Sequence, residues 1–251
     1  MTLRTLRGAA LYSCAVFALF AGRSVLAGAT LTVDDREIEI SASVSEGFNS
    51  SGIGPLHFFP PVTGELWNTT HSTGLVVSNP MGDAQSSAVA TQTSSFDASP
   101  EFTTVTASGD ANASGGVDIS ASNADADSDA DSVFDIQFTI SSPQTWSITA
   151  TIEDDGSGST GRVRLRPVGE LDIFILQGNN GTFNDSAGGL LQPGDYQLIG
   201  EARVAGFAST IGNSLYNKDA AFSFEFNIVP EPVSGTILLL GAPLILRRRR
   251  K

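Results

Sequence analysis

Residues 133–155 read VFDIQFTISSPQTWSITATIEDD. Phe134, Ile136, Phe138 and Ile140 alternate with Asp135, Gln137 and Thr139, and Trp146, Ile148, Ala150 and Ile152 alternate with Ser147, Thr149 and Thr151. A period of two sends one set of side chains to a dry face and the other to water, the pattern of a half-buried strand. The same period recurs outward along the chain. Ile38, Ile40, Ala42 and Val44 alternate with Glu37, Glu39, Ser41 and Ser43, and Phe222, Phe224, Phe226 and Ile228 share one face of a last strand. Turn clusters lie between these runs at Asp154-Asp155-Gly156-Ser157-Gly158, Gly178-Asn179-Asn180-Gly181 and Pro193-Gly194-Asp195,. Sustained helical spacing is missing. The expected fold is all-β: an antiparallel two-sheet β-sandwich, with the jelly roll as one topology that fits.

The pattern is uneven. From Gly28 to about Asp83 prolines 55, 60, 61 and 80 interrupt short apolar pieces, which reads as loop-rich. From Ala84 to Ser132 the chain is poor in large apolar residues and rich in Ala, Ser, Thr and Asp, so strands there are expected to be weakly specified and near the surface,. The stretch from Val133 to Val229 is the clearest. No repeat at a spacing of 20–50 residues argues for a solenoid or propeller.

Both ends carry address-like segments. Arg4 and Arg7 precede an apolar run from Ala9 to Phe20, and Val25-Leu26-Ala27 suits signal peptidase, so residues 1–27 are expected to be a signal peptide with an apolar helix,. Cys14 sits inside that run, behind Tyr12, and fits a lipoprotein site poorly,. The last residues read VPEPVSGTILLLGAPLILRRRRK, in which Pro230-Glu231-Pro232 is followed by the 14-residue uncharged run Val233–Leu246 and by Arg247, Arg248, Arg249, Arg250 and Lys251. The two prolines keep the backbone around Glu231 extended. As a single apolar helix the run reaches about 21 Å at ~1.5 Å per residue, short of a hydrocarbon core of about 30 Å. The terminal cations are expected to stay cytoplasmic and leave the preceding domain outside.

This tail resembles a PEP-CTERM protein-sorting segment, found in many bacteria that export polysaccharide. The resemblance covers residues 230–251, about a tenth of the chain. It implies that Pro230, Glu231 and Pro232 are recognised by an exosortase, that Arg247 to Lys251 act as the stop signal, and that the domain passes from an inner-membrane intermediate to the cell surface or extracellular matrix. Pro243 departs mildly from the family pattern. A plain C-terminal membrane anchor is the alternative reading of the same residues.

Between the addresses, residues 28–229 form the expected exported domain. The ends account for eight of the chain's 14 basic residues and one of its 27 acidic ones, which leaves 6 basic and 26 acidic, a formal charge of −20. That sign argues against nucleic acid and anionic membrane surfaces as partners, and suits cations, neutral sugars and basic surfaces. The single cysteine lies in the signal, so the domain has no disulfide, thiolate metal site or cysteine nucleophile,.

A few residue groups are candidates for binding. Asp125, Asp127, Asp129 and Asp131 alternate with Ala126, Ser128 and Ala130, four hard oxygen donors on one side of an extended segment. They suit Ca²⁺ in kind, but the EF-hand positions for Gly and the closing Glu hold Ala130 and Ile136,. The alternative is a solvated strand face or an edge whose charges discourage aggregation. Arg162, Arg164 and Arg166 share one strand face opposite Val163 and Leu165, suited to an acidic glycan or, more simply, to pairing with Glu153, Asp154 and Asp155 across a turn,. Trp67, Tyr216 and the His57-Phe58-Phe59 cluster sit in loop-like surroundings where an aromatic ring stacks on a sugar, whereas Trp146 is expected in the core,. Histidines 57 and 71 belong to no recognisable catalytic motif, and no carboxylate pair stands out,. The domain is therefore expected to bind or to be structural, as part of an extracellular polysaccharide matrix or as a calcium-supported adhesive protein, with a secreted glycan hydrolase as the weakest alternative.

Overall fold

The computed structural model describes residues 28–230 except 48, 80–81, 119–122 and 212–214. The expected signal helix and apolar tail helix, and Glu231 to Lys251, lie outside the described residues. No helix among the described residues is long and apolar enough to cross a membrane.

The described residues form strands β1 (Ala29–Asp34), β2 (Glu37–Glu46), β3 (Asn49–Phe58), β4 (Trp67–Asn79), β5 (Gly82–Phe96), β6 (Glu101–Phe102), β7 (Thr104–Val117), β8 (Ala124–Ile140), β9 (Gln144–Asp154), β10 (Ser159–Pro167), β11 (Phe174–Gln177), β12 (Gly181–Leu191), β13 (Gly194–Ser209) and β14 (Leu215–Pro230). They make two antiparallel sheets. The larger has the order β11-β10-β13-β8-β1-β6, with β2 also pairing β8 and β3 pairing β2, and the smaller has the order β12-β9-β14-β7-β5-β4. The sheets pack face to face. Phe134 and Phe138 of the larger meet Phe224 and Phe226 of the smaller at ring distances of 5.2 and 5.7 Å. All four period-two sets read from the sequence point their apolar members inward, and Trp146 is buried as expected.

Two sequence expectations are corrected. Residues 28–79 are not loop-rich: they supply β1 to β4, with Pro55 on the exposed strand β3 and Pro60 and Pro61 in the break before β4. The stretch 84–132 is not peripheral either. Strands β5, β7 and the first half of β8 run inside their sheets, and their inward positions Ala88, Ala90, Ala107, Ala111, Ala113, Ala126 and Ala130 are buried. Small side chains there let the sheets approach closely, and large rings from β14 fill what remains. Phe222 lies across Gly109 of β7, its sheet neighbour, and Gly200 of β13, in the facing sheet; a Cβ at either glycine would stand 2.4 or 2.5 Å from the ring. Six residues away the arrangement repeats, with Tyr216 against Gly115 and Gly206.

β1 and β2 follow one another along the same side of β8, β1 opposite Ile136–Thr139 and β2 opposite Ala124–Val133. At the join Arg36 turns inward and is fully buried. Its guanidinium donates to both carboxylate oxygens of Asp34 at 2.6 and 2.7 Å, to Ser94 Oγ at 2.8 Å and to the Glu65 carbonyl at 2.9 Å. It also lies 5.9 Å from the ring centre of Trp67 and 5.4 Å from that of Phe96. Asp34 accepts the Gly64 N–H as well, so one ion pair ties the β1–β2 break to the β3–β4 connection and to the smaller sheet.

Arg36→Leu leaves the Asp34 carboxylate buried without its cation and is expected to cost about 3–5 kcal/mol in chemical denaturation. Gly200→Val forces a side chain into the Phe222 ring and is expected to cost about 1–3 kcal/mol or more. Gly54→Ala adds a methyl that meets nothing within 4 Å, so its midpoint should stay within about 0.5 kcal/mol of the parent. Equal losses at Gly54 and Gly200 would sink the packing account.

Candidate functional site

On β8 the inward positions Ala124, Ala126, Ser128 and Ala130 are buried, which turns Asp125, Asp127, Asp129 and Asp131 to the outer face of the larger sheet. The four carboxylates do share one side. The strand is not an edge, however: β2 flanks it on one side and β13 on the other. Opposite Asp125, Asp127 and Asp129 stand Ser45, Ser43 and Ser41 of β2, and Ser209, Phe207 and Ala205 of β13. Same-face positions along a strand lie about 6.6–7 Å apart, while Ca²⁺ holds oxygens at about 2.3–2.6 Å. The aspartates therefore form a line rather than a cage. Among the described residues the group of three that brings His, Asp or Glu ligand atoms within 4.8 Å of one another is instead Glu37, Glu39 and His57.

The backbone register explains that group. Glu39 of β2 sits opposite His57 of β3 on one side and Asp131 of β8 on the other, and Asp131 sits opposite Arg203 of β13. One row thus reads His57, Glu39, Asp131, Arg203 across four strands. Nδ1–H of His57 hydrogen-bonds Glu37, one same-face position along β2, and Glu39 Oε2 is 3.8 Å from the same nitrogen. Beside the row an open depression of about 480 Å³ is lined by Glu39, Asp129, Asp131, Arg203 and Thr160.

Charge in this row is crowded. Burial pushes Asp131 up to about 6; Arg203 at 3.5 Å opposes the rise, and Glu39, Asp129 and Glu201 add to it. Asp127 is raised by burial and then by Asp129. Asp135 is raised by burial, against the Gln197 amide that donates to both its oxygens at 2.8 Å. His57 is raised chiefly by its hydrogen bond to Glu37.

The arginines lie on the other flank. Arg162, Arg164 and Arg166 leave one face of β10 with Val163 and Leu165 buried behind them. Their partners are not Glu153, Asp154 and Asp155, because β9 belongs to the smaller sheet and the chain crosses between sheets at the turn. Arg162 pairs with Glu201 of β13, Arg166 donates twice to Gln197, and Arg164 lies 3.8 Å from Asp172. Asp154 is buried and accepts from Gly156 N–H and Ser159 Oγ, which shapes the crossing.

The aromatic candidates are placed differently from the expectation. Trp67 opens β4, is 6% exposed and packs beside Arg36, so it offers no face to a sugar. Tyr216 points between the sheets, its hydroxyl 2.8 Å from Ser128 Oγ. Phe58 is half-buried and one face of its ring is covered by His71, with ring planes 9° apart. Among the described residues, the phenylalanines exposed to solvent are Phe59 and Phe207, each 57% exposed. Phe207 stands beside Asp127 on the outer face, out of phase with the inward Val204, Gly206 and Ala208; the sequence reading missed it, and that alternation is the pattern from which it could have been found.

No family model and no curated protein matches the chain. Among solved structures it is similar to the adhesin domain of Epf from Streptococcus pyogenes, at 11% identity over 80% of this chain and 66% of that one, with a TM-score of 0.23. It is also similar to the structure of infectious bursal disease virus Gx strain, at 8% identity over 82% of this chain and 58% of that one, again at 0.23. The chain thus spans less than two thirds of the length of either. Likeness at that level carries no functional argument.

The Asp131 carboxyl binds its proton more tightly folded, at about 6, than an ordinary aspartate does, at 3.8. Its ionisation therefore opposes folding: stability falls as pH rises from about 4 to about 6, and the penalty is complete above that window. Asp131→Asn is expected to gain on the order of 1–2 kcal/mol at pH 7, after allowance for partial exposure, and nothing below pH ~4. Denaturation midpoints at the two pH values check this, and a gain that does not depend on pH refutes it.

Proposed function

We propose that the chain is an exported cell-surface or extracellular-matrix protein, sorted through Pro230-Glu231-Pro232 by an exosortase, whose β domain binds or builds rather than catalyses. The observation that carries this reading is the order of motif, apolar run and basic cluster in residues 230–251. In this reading residues 1–27 are removed by signal peptidase, residues 28–229 are the exported domain, and residues 230–251 hold it at the inner membrane until processing. The end of β14 supports it: Pro230, the first residue of the motif, is the last rung of the ladder, opposite Gln144 of β9, so almost no linker separates domain and motif. The acidic outer face suits a hydrated matrix of cations and polysaccharide and repels nucleic acid. A glycan contact would use Phe58 with Phe59 and Phe207, since Trp67 and Tyr216 are turned inward.

A calcium-supported adhesive role is the second reading, favoured by the four carboxylates that share one side of β8, two of which, Asp127 and Asp131, are raised by burial and then by neighbouring carboxylates. A Ca²⁺ titration that loses its heat in Asp127→Ala and Asp129→Ala supports it, and no heat at millimolar Ca²⁺ removes it.

For the sorting reading, the native host is fractionated and the protein's intact mass measured beside a Glu231→Ala variant. The expected result is a matrix-associated parent lacking residues beyond the motif and a full-length, membrane-bound variant. If both retain Arg247 to Lys251 in the membrane, the tail is an anchor only.

A further inference from the structure

Glu37 and Glu39 are two residues apart on β2 and leave the same face, and the ladder sets His57 directly opposite Glu39. One oxygen of each glutamate and one ring nitrogen of His57 already lie within 4.8 Å of one another. We propose that these three residues bind a divalent transition-metal ion of the zinc type, through an imidazole nitrogen and one oxygen from each carboxylate, with solvent in the remaining position.

The donor set selects the ion. An imidazole nitrogen suits Zn²⁺, Cu²⁺ or Ni²⁺, whereas Ca²⁺ takes six to eight oxygens, which the line of aspartates on β8 does not converge to supply. The spacing fits as well. Tetrahedral bonds of about 2.0–2.1 Å place ligand atoms roughly 3.3 Å apart. Glu39 Oε2 stands at 3.8 Å from His57 Nδ1, and Glu37, which now accepts the proton of that nitrogen, has only to draw back when the metal replaces it. The three side chains are 45%, 28% and 37% exposed for His57, Glu37 and Glu39, so this adjustment moves nothing in the core.

The charges around the triad point the same way. Beyond Glu39 the row continues with Asp131, and the cation that follows, Arg203, lies on the far side of that aspartate. Arg162, Arg164 and Arg166 are engaged by Glu201, Asp172 and Gln197. Among the described residues, therefore, no arginine is paired with Glu37 or Glu39. All donors sit on hydrogen-bonded strands, so their relative placement is fixed by the β2–β3 and β2–β8 ladders rather than by a loop,. This inference does not depend on the sorting reading, since it concerns the folded domain alone.

The test is calorimetric titration of the purified, chelator-treated full-length chain with ZnCl₂, with thermal midpoints recorded in parallel at about 0.1 mM Zn²⁺. The expected result is one ion per chain, a raised midpoint, and binding at least about tenfold weaker in His57→Ala and in Glu39→Gln. Metal-free midpoints of both variants should match the parent, which separates lost ligation from lost folding. Asp127→Asn, outside the triad, should bind as the parent does. Absence of heat and of a midpoint shift in the parent overturns the proposal, and so does a titration that His57→Ala leaves unchanged. Equal weakening by Asp127→Asn would also overturn it, because it would show attraction to the acidic face as a whole.

Discussion

The buried pair of Arg36 and Asp34 sets the frame on which the outer face depends. A guanidinium inside a protein is tolerated only when its donors are satisfied, and here four hydrogen bonds and two aromatic faces surround it,. Its inward turn ends β1 and starts β2 with a fixed phase. With Arg36, Ile38 and Ile40 all buried, Glu37 and Glu39 have one direction left, outward beside His57 and Asp131. The interior ion pair and the exterior cluster of Glu37, Glu39 and His57 are thus two consequences of the same few residues. The pair also recruits Ser94, Gly64 and Glu65, so the junction locks the two sheets and their connection at one point.

Packing elsewhere follows a division of volume. Where phenylalanines from both sheets meet, around Phe134, Phe138, Phe224 and Phe226, ring edges and faces fill the gap. Along β5, β7 and the first half of β8 the inward positions are mostly alanine, serine and glycine, and the backbones close in. Phe222 and Tyr216 occupy the spaces that pairs of glycines leave open, one on the adjacent strand and one in the opposite sheet. Contacts of this kind tolerate little added volume, because protein interiors are packed near crystal density.

On the outer surface the charges separate by strand. Strands β10 and β13 carry arginines with acceptors one rung away, as in Arg162 with Glu201. On β8 the run Asp125, Asp127 and Asp129 faces serines of β2, and a cation, Arg203, stands beside the series at Asp131. An uncompensated acidic strip beside a paired one is a surface prepared for cations, and it leaves the sheet unattractive to polyanions.

Alternation alone determined that the described residues form an all-β domain, because a period of two has one physical solution: a dry face and a wet one. It also assigned Phe134 to Ile140, Trp146 to Ile152 and Phe222 to Ile228 to the core, and the aspartates of β8 to a single outer side. Alternation says nothing about which strand lies beside which. For that reason the partners of Arg162 and Arg166 came from β13 rather than from the sequence-adjacent β9, and Asp131 found Glu39, 92 residues away, as its neighbour. The alanine-rich middle was misread as surface because a small residue reveals its burial only when a large one from elsewhere covers it. Trp67 and Tyr216 were misread as open because prolines and polar neighbours hid the strands they stand on. The meeting of Glu37, Glu39 and His57 was likewise settled by tertiary structure, since only the antiparallel register of β2 against β3 brings an imidazole from one strand to the carboxylates of the other.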